Sequence, residues 1–518
     1  HSFSTTSRFA WSRSIGNNMT EIALSRPAMT KTDNTDLIAK RYRTERRFRM
    51  YGLAALAVTG AFLLFLVLDV VSRAIPAFTE HTVSLPVELA AADFDAANPA
   101  AGDYTGLAKS AVRTLFPTVS SRADRKALTS LLSSGAGDDL RNAVVSDPAL
   151  IGTKFDADFL LSDDADLYLK GLITGVSREA GKAPITVSKS GETYQLYGAE
   201  IPVGTVVRVF DGALKISAGT AGALDTEIIL PLSSEGAVEA GKWQSLTFEK
   251  AEADRRISDK EAVILETLTE KGVVNSQFAW RFFASSDSRE PELAGIRGAL
   301  TGSLLTIFIT LLLSLPTGIA AALYLEEFAR KGRFTNLIEV NINNLAAVPS
   351  IIFGLLGLAM FLGFFGMPRS APVVGGLVLA LLVLPTIIIA TRAALRSVPP
   401  SIKEAALGVG ASHQQAVLHH VLPLAVPGIL TGTILAVARA FGETAPLLMI
   451  GRVAFIVDIP AGFTDAATLL PVQIFLWSDL PEEGFKARTA AAIILLMVVL
   501  FMLNGIAIYL RKRFERRW

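Results

Sequence analysis

Six apolar stretches, each about twenty residues or longer, constrain this chain more than any other feature, because each can cross a bilayer as a helix. The first is Tyr51 to Val71, and the others lie near 296–324, 344–366, 372–391, 425–450 and 489–510. In hydrocarbon every backbone N–H and C=O must find its partner within the protein, so runs of this kind fold as helices. Composition agrees: 51% hydrophobic and 19% charged residues are too apolar for an ordinary soluble enzyme of several domains. The expected fold is a mainly α membrane protein of six transmembrane helices, with an α+β domain inserted between helices 1 and 2.

Positive charge sets the expected orientation. Lys40-Arg41-Tyr42-Arg43 and Arg46-Arg47-Phe48-Arg49 precede the first span. Arg330, Lys331 and Arg333, then Arg392, Arg396 and Lys403, then Arg511-Lys512-Arg513 with Arg516 and Arg517, fall on the same side of the later ones. The alternate connections hold Arg369 in one case and Arg452, Lys486 and Arg488 in the other. The bias places both termini in the cytoplasm and the large insert outside, in a multi-pass inner-membrane protein. The segment 1–49 is expected to be a disordered, basic cytoplasmic tail, with a translation start at Met19 or Met29. The apolar run at 50–71 lacks a small-residue cleavage site and reads as a retained anchor.

The insert, 72–295, contains no stretch long enough to span. Ala127, Leu128, Leu131 and Leu132 share a helical face, while Ile185 to Ser188 with Thr193 to Tyr197, and Val206 to Phe210 with Ala213 to Ile216 about Asp211-Gly212, read as hairpins. Gly175 to Lys182 imitates a phosphate-binding loop, but five residues separate its glycines and Ala183 stands where Ser or Thr is needed. Asp163, Asp164 and Asp166 lack the calcium-loop glycine and glutamate and read as a solvated acidic turn. His413, His419 and His420 lack a carboxylate at ligand spacing and read as loop surface. The chain has no cysteine, which removes disulfides, zinc thiolates and thiol catalysis. No metal and no nucleotide site is expected on it, and a net charge of +1 steers no nucleic acid.

Two polar motifs interrupt the apolar half. The first lies in the connection 396–424, on the cytoplasmic side by the charge bias. Ser401 is placed to cap a short helix with Glu404 three positions on, Ala405 and Ala406 give it low relief, and Gly408 and Gly410 allow a turn. Leu422-Pro423 is expected to end a second helical piece. Glu404-Ala405-Ala406, Gly410 and Leu422-Pro423 resemble the signature loop of ABC-importer permease subunits, with His420 where Ile is usual. The resemblance implies a coupling helix seated in a cleft of a separate ATPase subunit.

The second motif is Arg439 to Leu448. An arginine within a span costs roughly 2.5–3.5 kcal/mol on insertion scales, so it usually faces a polar path or a partner. Glu443, four positions on, can hold the guanidinium without consuming all its donors. An internal ion pair that locks helix packing is the alternative. The string Arg-Ala-Phe-Gly-Glu-Thr-Ala-Pro-Leu-Leu is similar to the corresponding stretch of PstA-type permeases of phosphate ABC importers, whose sister permease diverges after Gly-Glu-Thr. That resemblance implies a substrate path at Arg439, Glu443 and Thr444 and no catalysis on this chain. It further implies ATP and Mg held by paired PstB-like ATPases, a PstC-like second permease, a PstS-like periplasmic phosphate-binding protein, and surrounding membrane lipid. The rival readings are a permease for sulfate or molybdate, and a membrane-tethered sensor.

Overall fold

The structure is a computed structural model. It describes residues 31–514, leaving out 92–93, 95–97, 118, 192, 221 and 452–454. The expectations about Met19, Met29, Arg452, Arg516 and Arg517 therefore lie outside the described residues. The chain divides into two compact units, the first ending at Leu68. The helix α1 begins at Lys31 in the first unit and is assigned through to Ala74. The basic block thus lies on a helix, and 31–49, expected to be a disordered tail, are helical. From Ile38 to Leu66 this helix leaves its large apolar side chains, Phe62 to Phe65 among them, exposed.

The second unit holds the inserted domain and the other spans. The domain opens with β1 (Thr79–Glu88), α2 (Tyr104–Thr114), α3 (Arg122–Ser130), α4 (Ala136–Ser146), β2 (Lys154–Leu160) and α5 (Asp163–Leu169). Then follow β3 (Val176–Ala180), β4 (Ile185–Ser190), β5 (Thr193–Tyr197), β6 (Val206–Val209), β7 (Gly212–Thr220), β8 (Ala223–Leu230), β9 (Gly236–Val238) and β10 (Trp243–Phe248). It closes with α6 (Asp259–Glu270), β11 (Val274–Phe278) and α7 (Trp280–Ala284).

β1 lies between β11 and β2, antiparallel to both, and buries Val83, Leu85 and Val87 at alternate positions, as a half-buried strand must. The eight-stranded sheet has the order β3-β10-β6-β7-β8-β5-β4-β9. Period two divides its faces: Val207 and Val209 enter the sheet's own core with Leu214 and Ile216, while Val206 joins the helical core that contains α6. Arg208, on the face of Val206, donates 2.6 Å bonds to both carboxylate oxygens of Glu270 on α6. Both expected hairpins pair, but the second turns at Phe210-Asp211 with Val209 opposite Gly212, one residue earlier than the Asp-Gly signal suggests.

The membrane half contains α8 (Arg297–Leu323), α9 (Arg333–Ala346), α10 (Ser350–Gly357), α11 (Pro372–Arg396), α12 (Pro400–Gly408), α13 (His413–Ala416), α14 (Leu422–Gly442), α15 (Ala445–Met449), α16 (Leu470–Ser478) and α17 (Glu483–Phe514). Among the described residues five helices are long and apolar enough to cross, six if a bent pair counts as one. That pair is α9 with 350–364, and it bends by 99° where a straight span at 344–366 is expected. Pro349 explains the bend: it lacks an N–H and drives the residue before it out of the helical region. Pro316, Pro385 and Pro427 sit inside helices that continue through them.

Candidate functional site

The last turn of α14 carries Arg439, and the helix stops at Gly442 rather than running to 450 as expected. Glu443 takes up extended backbone (φ −81°, ψ 108°), Thr444 caps the one-turn α15, and Pro446 sits in its first turn. The proline has no N–H to donate and its ring crowds the preceding turn, which favours a break ahead of it. Gly354 on α10 fixes the piece beyond the break, because a β-carbon there would lie 2.6 Å from the Pro446 Cα and carbonyl oxygen. Glu443 has left the helical face but still reaches back, accepting a long 3.4 Å bond from Arg439 Nε. Arg439 is 36% exposed and Glu443 22%, so the pair is neither sealed in dry packing nor fully displayed. Among the described residues Arg439 has no other ion-pair partner, which leaves the Nη fork open. The carbonyls ending α14 add partial negative charge beside the cation and favour its placement there.

The second candidate is the elbow before α14. α12 starts at Pro400 behind Pro399, so Ser401 lies inside the helix and the expected cap there is not formed. The capping box belongs to Ser412 and Gln415, which start α13. Between them Gly410 N–H donates to the Leu407 carbonyl at 3.0 Å and Ala411 N–H to that of Ala406 at 3.1 Å, the paired bonds of a Schellman end, with Gly410 at φ 95°. Leu422-Pro423 opens α14 instead of ending a helix. A π turn over Val417–Val421 precedes it, and the widened turn makes room for the proline ring. His420 is exposed on that turn.

Glu404, Ala405 and Val409 face outward on the elbow while Ala406 is buried, so only one of the two alanines contributes to the outer surface. Glu404 has no ion-pair partner among the described residues. Its neighbour Lys403 instead binds Glu327 at 2.5 Å, beyond the end of α8. His413 Nε2 lies 2.9 Å from the Glu327 carbonyl and its ring meets Phe328 edge-on, which ties it to structure rather than leaving it loop surface. Arg392 bonds Glu326 and Glu339, and Arg396 bonds Glu326 at 2.7 Å. Sequence reasoning missed this lattice and the 87% exposed Val409. Acids that close to a span end, across from Arg392 and Arg396, were the available signal.

Known proteins resemble both halves. Residues 35–179 match a domain of unknown function, DUF3333, and residues 314–516 match the family described as binding-protein-dependent transport system inner membrane component. The phosphate transport system permease protein PstA of Haemophilus influenzae is 32% identical over 238 residues, covering 46% of this chain and 82% of that protein. The chain belongs to the PstA-type family of ABC-importer permeases. PstA 1 of Mycobacterium tuberculosis is 30% identical over 247 residues, covering 48% and 76%. The probable ABC transporter permease protein YqgI of Bacillus subtilis is 37% identical over 190 residues, and the match spans 64% of its length. A solved inward-facing structure of the MetNI methionine ABC transporter aligns over 43% of this permease and 95% of its own chain, at 16% identity and a TM-score of 0.34. The family match contains both the elbow and the Arg439 break.

The permease carries a further buried charge where the insert meets α17. Arg488 was expected in a loop beside a span starting at 489, but α17 begins at Glu483 and buries it. It donates to the carbonyls of Ala294 (2.6 Å) and Glu292 (3.1 Å) and lies 5.8 Å from the Phe282 ring centroid. Asp163 presses against Gly484 nearby. Burial first, then Glu292 and Asp164, pushes its carboxyl up to about 7, so the acidic turn is not the solvated one expected. Asp166 lies 2.8 Å from His81 Nδ1 and also binds Lys170.

Proposed function

We propose that this permease passes inorganic phosphate across the inner membrane for an ATP-driven importer, with no chemistry of its own. The open guanidinium fork of Arg439 at a helix break carries the reading. Broken backbone at membrane depth is tolerated where it is packed in protein or lines a polar cavity, and a planar cation binds a tetrahedral oxyanion through two parallel bonds. Glu443 positions the cation and Thr444 offers a hydroxyl at the same break. The names of the PstA relatives favour phosphate over other oxyanions.

One chain supplies half a pathway, so a PstC-like permease completes it. A PstS-like binding protein delivers the anion outside, where the positive-charge bias places the insert. Two PstB-like ATPases, holding ATP and Mg, receive the Glu404 elbow on the cytoplasmic side and drive alternating access. Both termini then lie in the cytoplasm, with lipid around the spans.

Arg439→Ala tests the reading. Phosphate uptake into vesicles is expected to fall by at least about a hundredfold, the loss of one charge-assisted bidentate contact, with the complex still assembled. Uptake at the normal rate removes Arg439 from the path. Competition by sulfate or molybdate in the same assay, stronger than by arsenate, would reassign the substrate to another oxyanion.

A further inference from the structure

A cavity of about 560 Å³ opens on the elbow side of the membrane half, beyond the end of α8 and between the start of α9 and the last turn of α11. Its charged lining is Lys331, Arg333, Arg392 and Arg396 against Glu326 and Glu339, two positive charges in excess. The two carboxylates are already engaged: Arg392, with a side chain 12% exposed, binds both, and Arg396 shares Glu326. The excess therefore resides on Lys331 and Arg333, which are exposed and have no ion-pair partner among the described residues. Gly332 precedes α9 with no side chain to cap it and lines the cavity with Arg333, Thr335 and Asn336, so the uncapped start of that fourteen-residue helix forms part of the wall.

We propose that this cavity binds a phosphoryl group, seated against Lys331 and Arg333 with the Arg392–Arg396 lattice as its fixed wall. Two unpaired cations, an uncapped helix start and a pre-ordered arginine pair supply the donors such a group needs. Basic recesses between spans at the membrane surface also suit anionic lipid headgroups. The ligand is thus either a lipid phosphodiester or free phosphate. Its binding bridges α9 and α11 one short loop away from α12, so occupancy stiffens the base of the elbow. The site is separate from Arg439 and does not depend on which anion is carried.

The test compares the detergent-purified full-length chain with Lys331→Gln/Arg333→Gln. Native mass spectrometry with phosphatidylglycerol or phosphatidylcholine reads the lipid arm. Equilibrium dialysis of radiolabelled inorganic phosphate, on delipidated protein carrying Arg439→Ala, reads the free-anion arm. Retention in one arm is expected to drop at least about tenfold in the double variant, and that arm identifies the source. The single Lys331→Gln, on an exposed loop, serves if the double variant does not fold, with a loss of about threefold. Equal retention by wild type and variant in both arms overturns the proposal.

Discussion

Asp163 shows how far one residue's environment can depart from its local sequence. Asp163, Asp164 and Asp166 read as a solvated turn, yet burial beside Gly484, then the charges of Glu292 and Asp164, raise the Asp163 carboxyl to about 7 against 3.8 for a free aspartate, with Arg488 opposing the rise. The folded state therefore binds this proton more tightly than the unfolded chain does. Stability from this group is highest below about pH 4 and is lost as pH rises through about 7. Asp163→Asn should flatten that part of the pH dependence of thermal unfolding and make the chain more stable at pH 8 by about 1–2 kcal/mol, the full shift being discounted because water reaches the group. An unchanged difference between pH 5 and pH 8 would contradict the assignment. Gly354 is the opposite case, since its reason lies in the close contacts with Pro446 and Met449. Gly354→Ala should destabilise by about 1–3 kcal/mol, measured as a lower melting temperature.

Among elements, the spans were legible because composition alone dictates helix in lipid, and Arg439 stood out as a candidate because a charge within an apolar run is costly. The breaks were not legible. Pro316, Pro385 and Pro427 lie within continuous helices, whereas Pro349 and Pro446 mark chain breaks. Proline removes one donor in every case, and only the neighbouring helix decides whether the turn is kept. Adjacent residues of the elbow differ in their surroundings: Glu404 faces out and Lys403 is tied to Glu327. Glu404→Lys should release the ATPase during purification. Lys403→Ala should keep it bound while uptake per ATP hydrolysed falls severalfold. Loss of the ATPase in both variants would mean that Lys403, too, belongs to the docking surface.

At the scale of the whole molecule, Arg488 joins the insert to α17 through carbonyl acceptors rather than a paired carboxylate, with Asp163, Asp166, Glu292 and Glu80 near it. Removing a buried charge from such a setting leaves its surroundings uncompensated, at about 3–5 kcal/mol. Arg488→Met should expose the 285–296 connection to limited proteolysis, and unchanged cutting would show the joint held by other contacts. The α+β class of the insert was readable from its alternating strands, but this joint was not, since it depends on residues nearly two hundred positions apart. Trp477, donating to Asp287 at 2.9 Å, secures the same connection from α16. Bonds of this kind tie the insert to α16 and α17, so a tilt of those helices is expected to carry the insert with it. Because the chain lacks cysteine, a single thiol introduced at exposed Ser190 would give the eight-stranded sheet a unique reporter of that movement.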